Sequence, residues 1–211
     1  MFNIGIMSQF SGSFTKVLEL LFNGADNSSV FLDTSSSNHT MTVVGSPTIQ
    51  GNSGYFDGGG YIYTDTLPAF LDNDFLFTGK FSIPNYPTSY YYQYTIFGFY
   101  SGVEILDPIC LSIGPGNSNY KKLYVNAITT DSERLFLTHQ TDVSLNDEHT
   151  FKVERSNGVI RLFLDGIEAT STIVTSKSLS VAESRFCVGH GGDYADPFVG
   201  TIDELNVSIA N

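Results

Sequence analysis

The chain has 211 residues, 41% of them hydrophobic and 15% charged, the balance of a folded globular protein and not of a disordered one. Its 17 Phe and 12 Tyr, with no Trp, favour strands over helices. A formal net charge of −12, with no basic cluster longer than Lys121-Lys122, repels nucleic-acid phosphates and anionic membrane surfaces, so neither is expected as a partner.

Residues 1–16 are polar, small and weakly patterned, and read as an N-terminal arm. Met1 to Phe10 carries no basic region and no apolar run long enough for a signal peptide or a membrane span. From Val17-Leu-Glu-Leu-Leu-Phe22 the pattern turns apolar, and residues 17–211 are expected to form a single domain. Asn23 to Ser29 is a run of turn residues. Short strands are expected at 40–44, 54–57, 60–64, 76–83, 94–99, 109–113, 121–127, 134–139, 150–155, 159–164, 185–189 and 198–208, close to the regular spacing of a sandwich. Asp65 to Leu71 is the one segment suited to a short helical turn. Residues 86–94 hold five Tyr and one Pro, a local outlier in composition. Cys110 and Cys187 each sit between apolar neighbours, as buried free thiols in strands do.

The last third carries the clearest pattern. Phe151 and Val153 alternate with Lys152 and Glu154, so one face of that strand is buried and the other is wet. Ser156-Asn157-Gly158 joins it to Val159–Leu164 as a tight hairpin, because Asn-Gly readily takes the positive φ that two-residue turns require. Asp165-Gly166 supplies the next turn.

Leu20-Leu-Phe-Asn-Gly-Ala-Asp26, Ser36-Ser-Asn-His39, Ser53-Gly-Tyr-Phe-Asp-Gly-Gly-Gly-Tyr-Ile62, Arg161-Leu-Phe-Leu-Asp-Gly166 and Phe198-Val-Gly-Thr-Ile-Asp-Glu-Leu205 follow in an order that is specific as a set. Together they resemble the laminin-G-like branch of the concanavalin A-like lectin and glucanase superfamily, in the version common in bacteriophage virion proteins and bacterial surface proteins. The resemblance covers about 17–209 and implies an all-β, two-sheet antiparallel jelly-roll sandwich. Such a scaffold hosts lectins, hydrolases and structural modules alike. Members commonly carry Trp in a central strand and before the late hairpin; here Phe81 and His149 to Phe151 stand in those places, so no Trp-based sugar platform is implied.

In relatives a structural calcium often joins the early loop to the final strand. The matching positions are Asp26 or Asp33 in the early loops and Asp203 in the final strand, whose oxygens suit a hard cation; the competing reading makes Asp26 and Asp33 turn residues and leaves Asp203 or Glu204 facing water. Tyr91 and Tyr92 in the Tyr-rich run, and His190, Asp193 and Tyr194 in the Gly-rich late loop, are the candidate ligand contacts, since aromatic rings stack on sugar faces while polar groups bond the hydroxyls. Packing against a neighbouring subunit competes for the first pair, and a plain turn for the second set.

Enzyme chemistry finds little support. Asp72 and Asp74 have the spacing of a glycosidase pair but lie among loop residues, while Asp203 and Glu204 are adjacent and are expected to face opposite sides of a strand. The four His, at 39, 139, 149 and 190, are scattered, no Ser lies in a Gly-x-Ser-x-Gly elbow, and no zinc spacing occurs. The expectation is a non-enzymatic virion structural protein of a bacteriophage, a capsid decoration, fibre tip or tail adaptor. It would be made in the host cytoplasm, hold one structural calcium ion, and partner other virion proteins, copies of itself or a host-surface glycan. The alternative is a soluble bacterial calcium-dependent lectin, and a distant third is a glycoside hydrolase.

Overall fold

Along Phe75–Ser82 every second side chain is buried, the mark of a strand with one face on the core and one on solvent. The computed structural model describes residues 13–65, 67, 73–87, 93–100, 108–114, 121–179, 185–190 and 197–211. Its strands are β1 (Phe14–Leu20), β2 (Thr42–Val44), β3 (Thr48–Gln50), β4 (Ser53–Asp57), β5 (Tyr61–Thr64), β6 (Phe75–Ser82), β7 (Tyr94–Tyr100) and β8 (Ile109–Ile113). They continue as β9 (Lys122–Ile128), β10 (Arg134–Asp142), β11 (His149–Ser156), β12 (Val159–Leu164), β13 (Ile167–Glu168), β14 (Ile173–Val174), β15 (Arg185–Val188) and β16 (Val199–Ala210).

These strands form two antiparallel sheets that face each other. One runs β13-β12-β11-β6-β16-β4-β3, with β1 also paired to β16 and β14 to β12; the other runs β10-β9-β8-β7-β15-β5-β2. The fold class is the one expected. Differences lie at short or flanking elements. β1 starts at Phe14, inside the segment expected as an arm, and β3, β13 and β14 are two or three residues long, too short for periodicity to register. The expected helical turn at 65–71 falls largely outside the described residues. Among the described residues no helix is long and apolar enough to cross a membrane.

Phenylalanine fills the space between the sheets. Phe77 of β6 stacks on Phe97 of β7 at 4.6 Å between centroids and lies 6.2 Å from Phe186 of β15. Phe75 adds an edge contact at 5.2 Å to Phe77. All four rings are buried, and offset or edge-on pairs of this kind add about 0.5–1.5 kcal/mol each beyond area burial. The positions discussed as Trp replacements meet in space: Phe81 lies 5.5 Å from His149 and 6.3 Å from Phe151. Here a Phe–His–Phe group fills the volume.

Both late turns have the expected geometry, with φ of 50° at Asn157, 75° at Gly158, 52° at Asp165 and 76° at Gly166. In β16 the register slips between Ile202 and Glu204, so Asp203 is the extra residue of a bulge. Ile202 and Leu205 both stay buried across it, and the strict alternation expected for Asp203 and Glu204 fails at this point. The bulge falls where the neighbour of β16 changes from β4, paired up to Ile202, to β1, paired from Leu205. On the opposite flank, edge strand β10 is stitched to the other sheet by side chains. His139 Nε2 lies 3.0 Å from the Ile167 carbonyl, and Gln140 donates to the Glu168 carbonyl at 3.2 Å.

Candidate functional site

β5 turns Ile62 and Thr64 into the core, so Tyr61 and Tyr63 stand on the outer face of the β10-to-β2 sheet. β15 does the same with Phe186 and Val188 inward and Arg185 and Cys187 outward. The register pairs Cys187 with Tyr63 and Phe186 with Thr64; one step further along, Arg185 meets Asp65, with Nε donating to Oδ1 at 2.8 Å. The Arg185 guanidinium carbon lies 4.5 Å from the Tyr63 ring centre, a cation–π contact. Tyr61 lies 6.1 Å from Tyr63 and 4.8 Å from the His190 ring. Its hydrogen bond to Asp65, and then the nearby Tyr63, raise the Arg185 pKa further above its ordinary range, so it remains a fixed cation.

The chain reaches His190 through Gly189, whose φ is 82° and where an added Cβ would fall 2.6 Å from the Phe56 ring. Two tyrosine rings, a guanidinium, a carboxylate and an imidazole are thus gathered on one half-exposed surface. Such a surface can stack on the apolar face of a pyranose or furanose ring while its edges bond hydroxyls.

Towards the middle of the same sheet face the side chains become buried. Thr95 and Ser112 share a hydrogen bond of 2.9 Å, and Cys110, Tyr124 and Cys187 are all at most 4% exposed. Burial, and then proximity to Cys110, push the Tyr124 phenol well above its ordinary pKa, against a smaller opposing hydrogen bond from Ser112. Both cysteines are free thiols, as expected.

Of the expected ligand contacts, His190 belongs to this surface; Tyr91, Tyr92, Asp193 and Tyr194 lie outside the described residues. Tyr61, Tyr63, Asp65 and Arg185 were missed. The available signal was Tyr61-Ile62-Tyr63, two rings at a spacing of two on a strand, which puts both on one face.

The carboxylates expected to bind calcium do separate jobs. Asp33, only 4% exposed, accepts at Oδ1 from the Glu19 and Ser35 N–H groups, each at 2.9 Å. At Oδ2 it accepts from Ser35 Oγ at 2.9 Å and the His39 N–H at 2.8 Å. A carboxylate has about four acceptor sites, and all are occupied by the chain itself. Asp26 is exposed and accepts the Gly51 N–H at 2.8 Å. Asp203 sits in the bulge with a buried Oδ1 that has no hydrogen-bond partner. Among the described residues no group of three or more His, Cys, Asp or Glu is placed to hold one metal ion. Asp26, Asp33 and Asp203 as a set do not fit a shared calcium, because Asp33 has no free lone pair and the three are not gathered.

One arrangement has the connectivity of a catalytic triad. Ser144 Oγ lies 3.0 Å from His149 Nε2, and His149 Nδ1 lies 2.8 Å from Asp165 Oδ2. Two contacts assign it to a turn. The Ser144 N–H donates to the same Nε2 at 3.1 Å, and Ser144 Oγ donates to Asp147 at 2.6 Å. The nitrogen that would take the serine proton is engaged by a backbone donor, and the hydroxyl proton is directed elsewhere. The group closes the 144–149 loop onto the Asp165 turn. Asp74, the described member of the Asp72–Asp74 pair, accepts the Asn157 N–H at 2.9 and 3.1 Å and holds the β11–β12 turn at the opposite end of these strands.

No family model matches the chain, and no curated protein matches it. Solved structures do. The chain is similar to domain 4 of AbnA, a GH43 extracellular arabinanase from Geobacillus stearothermophilus, in complex with arabinotriose, with a TM-score of 0.67 and 14% identity over 93% of each chain. It is similar also to the botulinum neurotoxin serotype D binding domain, with a TM-score of 0.66 and 14% identity over 92% of this chain and 48% of that one. Trypanosoma rangeli sialidase in complex with sialic acid gives a TM-score of 0.63 at 13% identity over 91% of this chain and 30% of that one. At such identities the likeness establishes the fold, a two-sheet antiparallel β-sandwich. This chain corresponds to almost the whole of the arabinanase domain but to less than half of each of the other two.

Proposed function

We propose that the chain is a non-enzymatic, lectin-like module that binds saccharides at the surface built by Tyr61, Tyr63, Asp65, Arg185 and His190. The observation that carries the reading is the pair of same-face tyrosines with Arg185 over one ring and His190 against the other. The arabinanase domain of the same fold, solved in complex with arabinotriose, supports it by analogy. A glycan array with the wild-type protein and a Tyr61→Ala/Tyr63→Ala variant tests it. Binding to a defined subset of glycans, weakened about tenfold or more in the variant by loss of aromatic contact, is the expected result. Equal binding by both proteins contradicts it.

The setting we propose is a bacteriophage virion, as a capsid decoration, fibre tip or tail adaptor, in contact with other virion proteins or copies of itself. Its support is the ordered set of laminin-G-like segments in the sequence. Detection of the chain in purified particles by mass spectrometry tests this, and its presence only as free protein opposes it.

A further inference from the structure

We infer that this site selects saccharides carrying a carboxylate, such as uronate or sialate residues; the inference rests on the saccharide-binding reading above. Arg185 is the reason. Its side chain is 47% exposed, and its Nε is committed to Asp65 at 2.8 Å. Among the described residues the N–H groups on its two terminal nitrogens have no hydrogen-bond partner, which leaves a two-pronged donor edge on a half-exposed side chain. A planar guanidinium presenting two parallel N–H bonds matches a carboxylate in shape as well as charge.

The cation is also held in place. Asp65 anchors one edge and Tyr63 supports the plane from 4.5 Å below, so little side-chain freedom remains to be lost on binding. A sugar ring seated across the exposed edges of the Tyr61–Tyr63 pair brings an exocyclic carboxylate beside that guanidinium edge. The whole chain carries 22 Asp and Glu against 10 Lys and Arg, so long-range attraction does not gather anions here. Asp65 further cancels the charge of Arg185 at a distance. Selection therefore arises at contact range, from the directed donor pair.

Calorimetric titration of the full chain tests this with two matched pairs of probes: trigalacturonate against its methyl ester, and sialyllactose against lactose. At least one acidic probe is expected to bind about tenfold or more tightly than its neutral partner, and the pair that shows the difference names the uronate or the sialate class. Arg185→Gln should abolish that preference, and Arg185→Lys, which keeps the charge without the fork, should restore only part of it. Equal affinity for acidic and neutral partners, or an unchanged preference in Arg185→Gln, overturns the inference while leaving saccharide binding intact. Absence of binding to all four probes and to every glycan on the array overturns both readings, as does binding that survives Tyr61→Ala/Tyr63→Ala.

Discussion

Replacing Asp33 by Ala separates a structural carboxylate from a metal ligand. Asp33 gathers four donors, two of them the buried N–H and hydroxyl of Ser35 and two the partly buried N–H groups of Glu19 and His39. Removing it strands the two buried donors, which cost about 1–3 kcal/mol each, while water can reach the other two at a cost of about 1 kcal/mol or less each. The expected loss is about 3–5 kcal/mol in urea unfolding. For a chain of this length that lowers Tm by roughly 10 °C. Asp33→Asn should fare little better, since in either orientation its amide turns N–H donors towards donors. Both losses should be the same in calcium and in chelator. A loss below about 1 kcal/mol would refute the four-donor account, and a loss present only with calcium would restore Asp33 as a ligand.

Other expectations follow from the core and the turns. His149→Ala should cost about 2–3 kcal/mol in chemical unfolding through the opened 144–149 loop, whereas p-nitrophenyl acetate turnover should not exceed the buffer rate; turnover abolished by Ser144→Ala would make the group catalytic. Gly79→Val should destabilise by about 3 kcal/mol, measured by thermal melt, because even a Cβ there falls 2.4 Å from the Glu204 carbonyl and 2.6 Å from the Phe151 ring. Tyr124, whose pKa is raised in the fold, contributes stability that is intact below about pH 10, the ordinary phenol pKa, and drains away above it as the unfolded chain ionises first. The unfolding free energy from urea titrations should therefore fall above pH 10, by up to about 1.4 kcal/mol per pH unit from this residue, and fall less steeply in Tyr124→Phe.

The sandwich was legible in the sequence because its long strands obey a period of two and its hairpins use Asn157-Gly158 and Asp165-Gly166, whose φ values leave little alternative. β13 and β14 escaped because two residues cannot display a period. The bulge at Asp203 was invisible for a related reason: an inserted residue reads in sequence as an ordinary alternating position and shows itself only against the register of β6. The site was partly legible. Composition drew attention to the densest tyrosines, in 86–94, whereas the surface that assembles uses just two, in β5. Arg185 lies 120 positions from Asp65, and only strand pairing brings them together. The calcium residues were chosen by motif position, and nothing in a sequence reports that a carboxylate such as Asp33 is already saturated by its own loop.

Ligand contact is placed by the proposed function on the outer face at β5 and β15. Backbone amide shifts, followed by NMR while a saccharide selected on the array is titrated in, test it most directly. The largest changes are expected on residues 61–65 and 185–190. Changes concentrated on the outer face of β11, β6 and β16, with 61–65 silent, would contradict it.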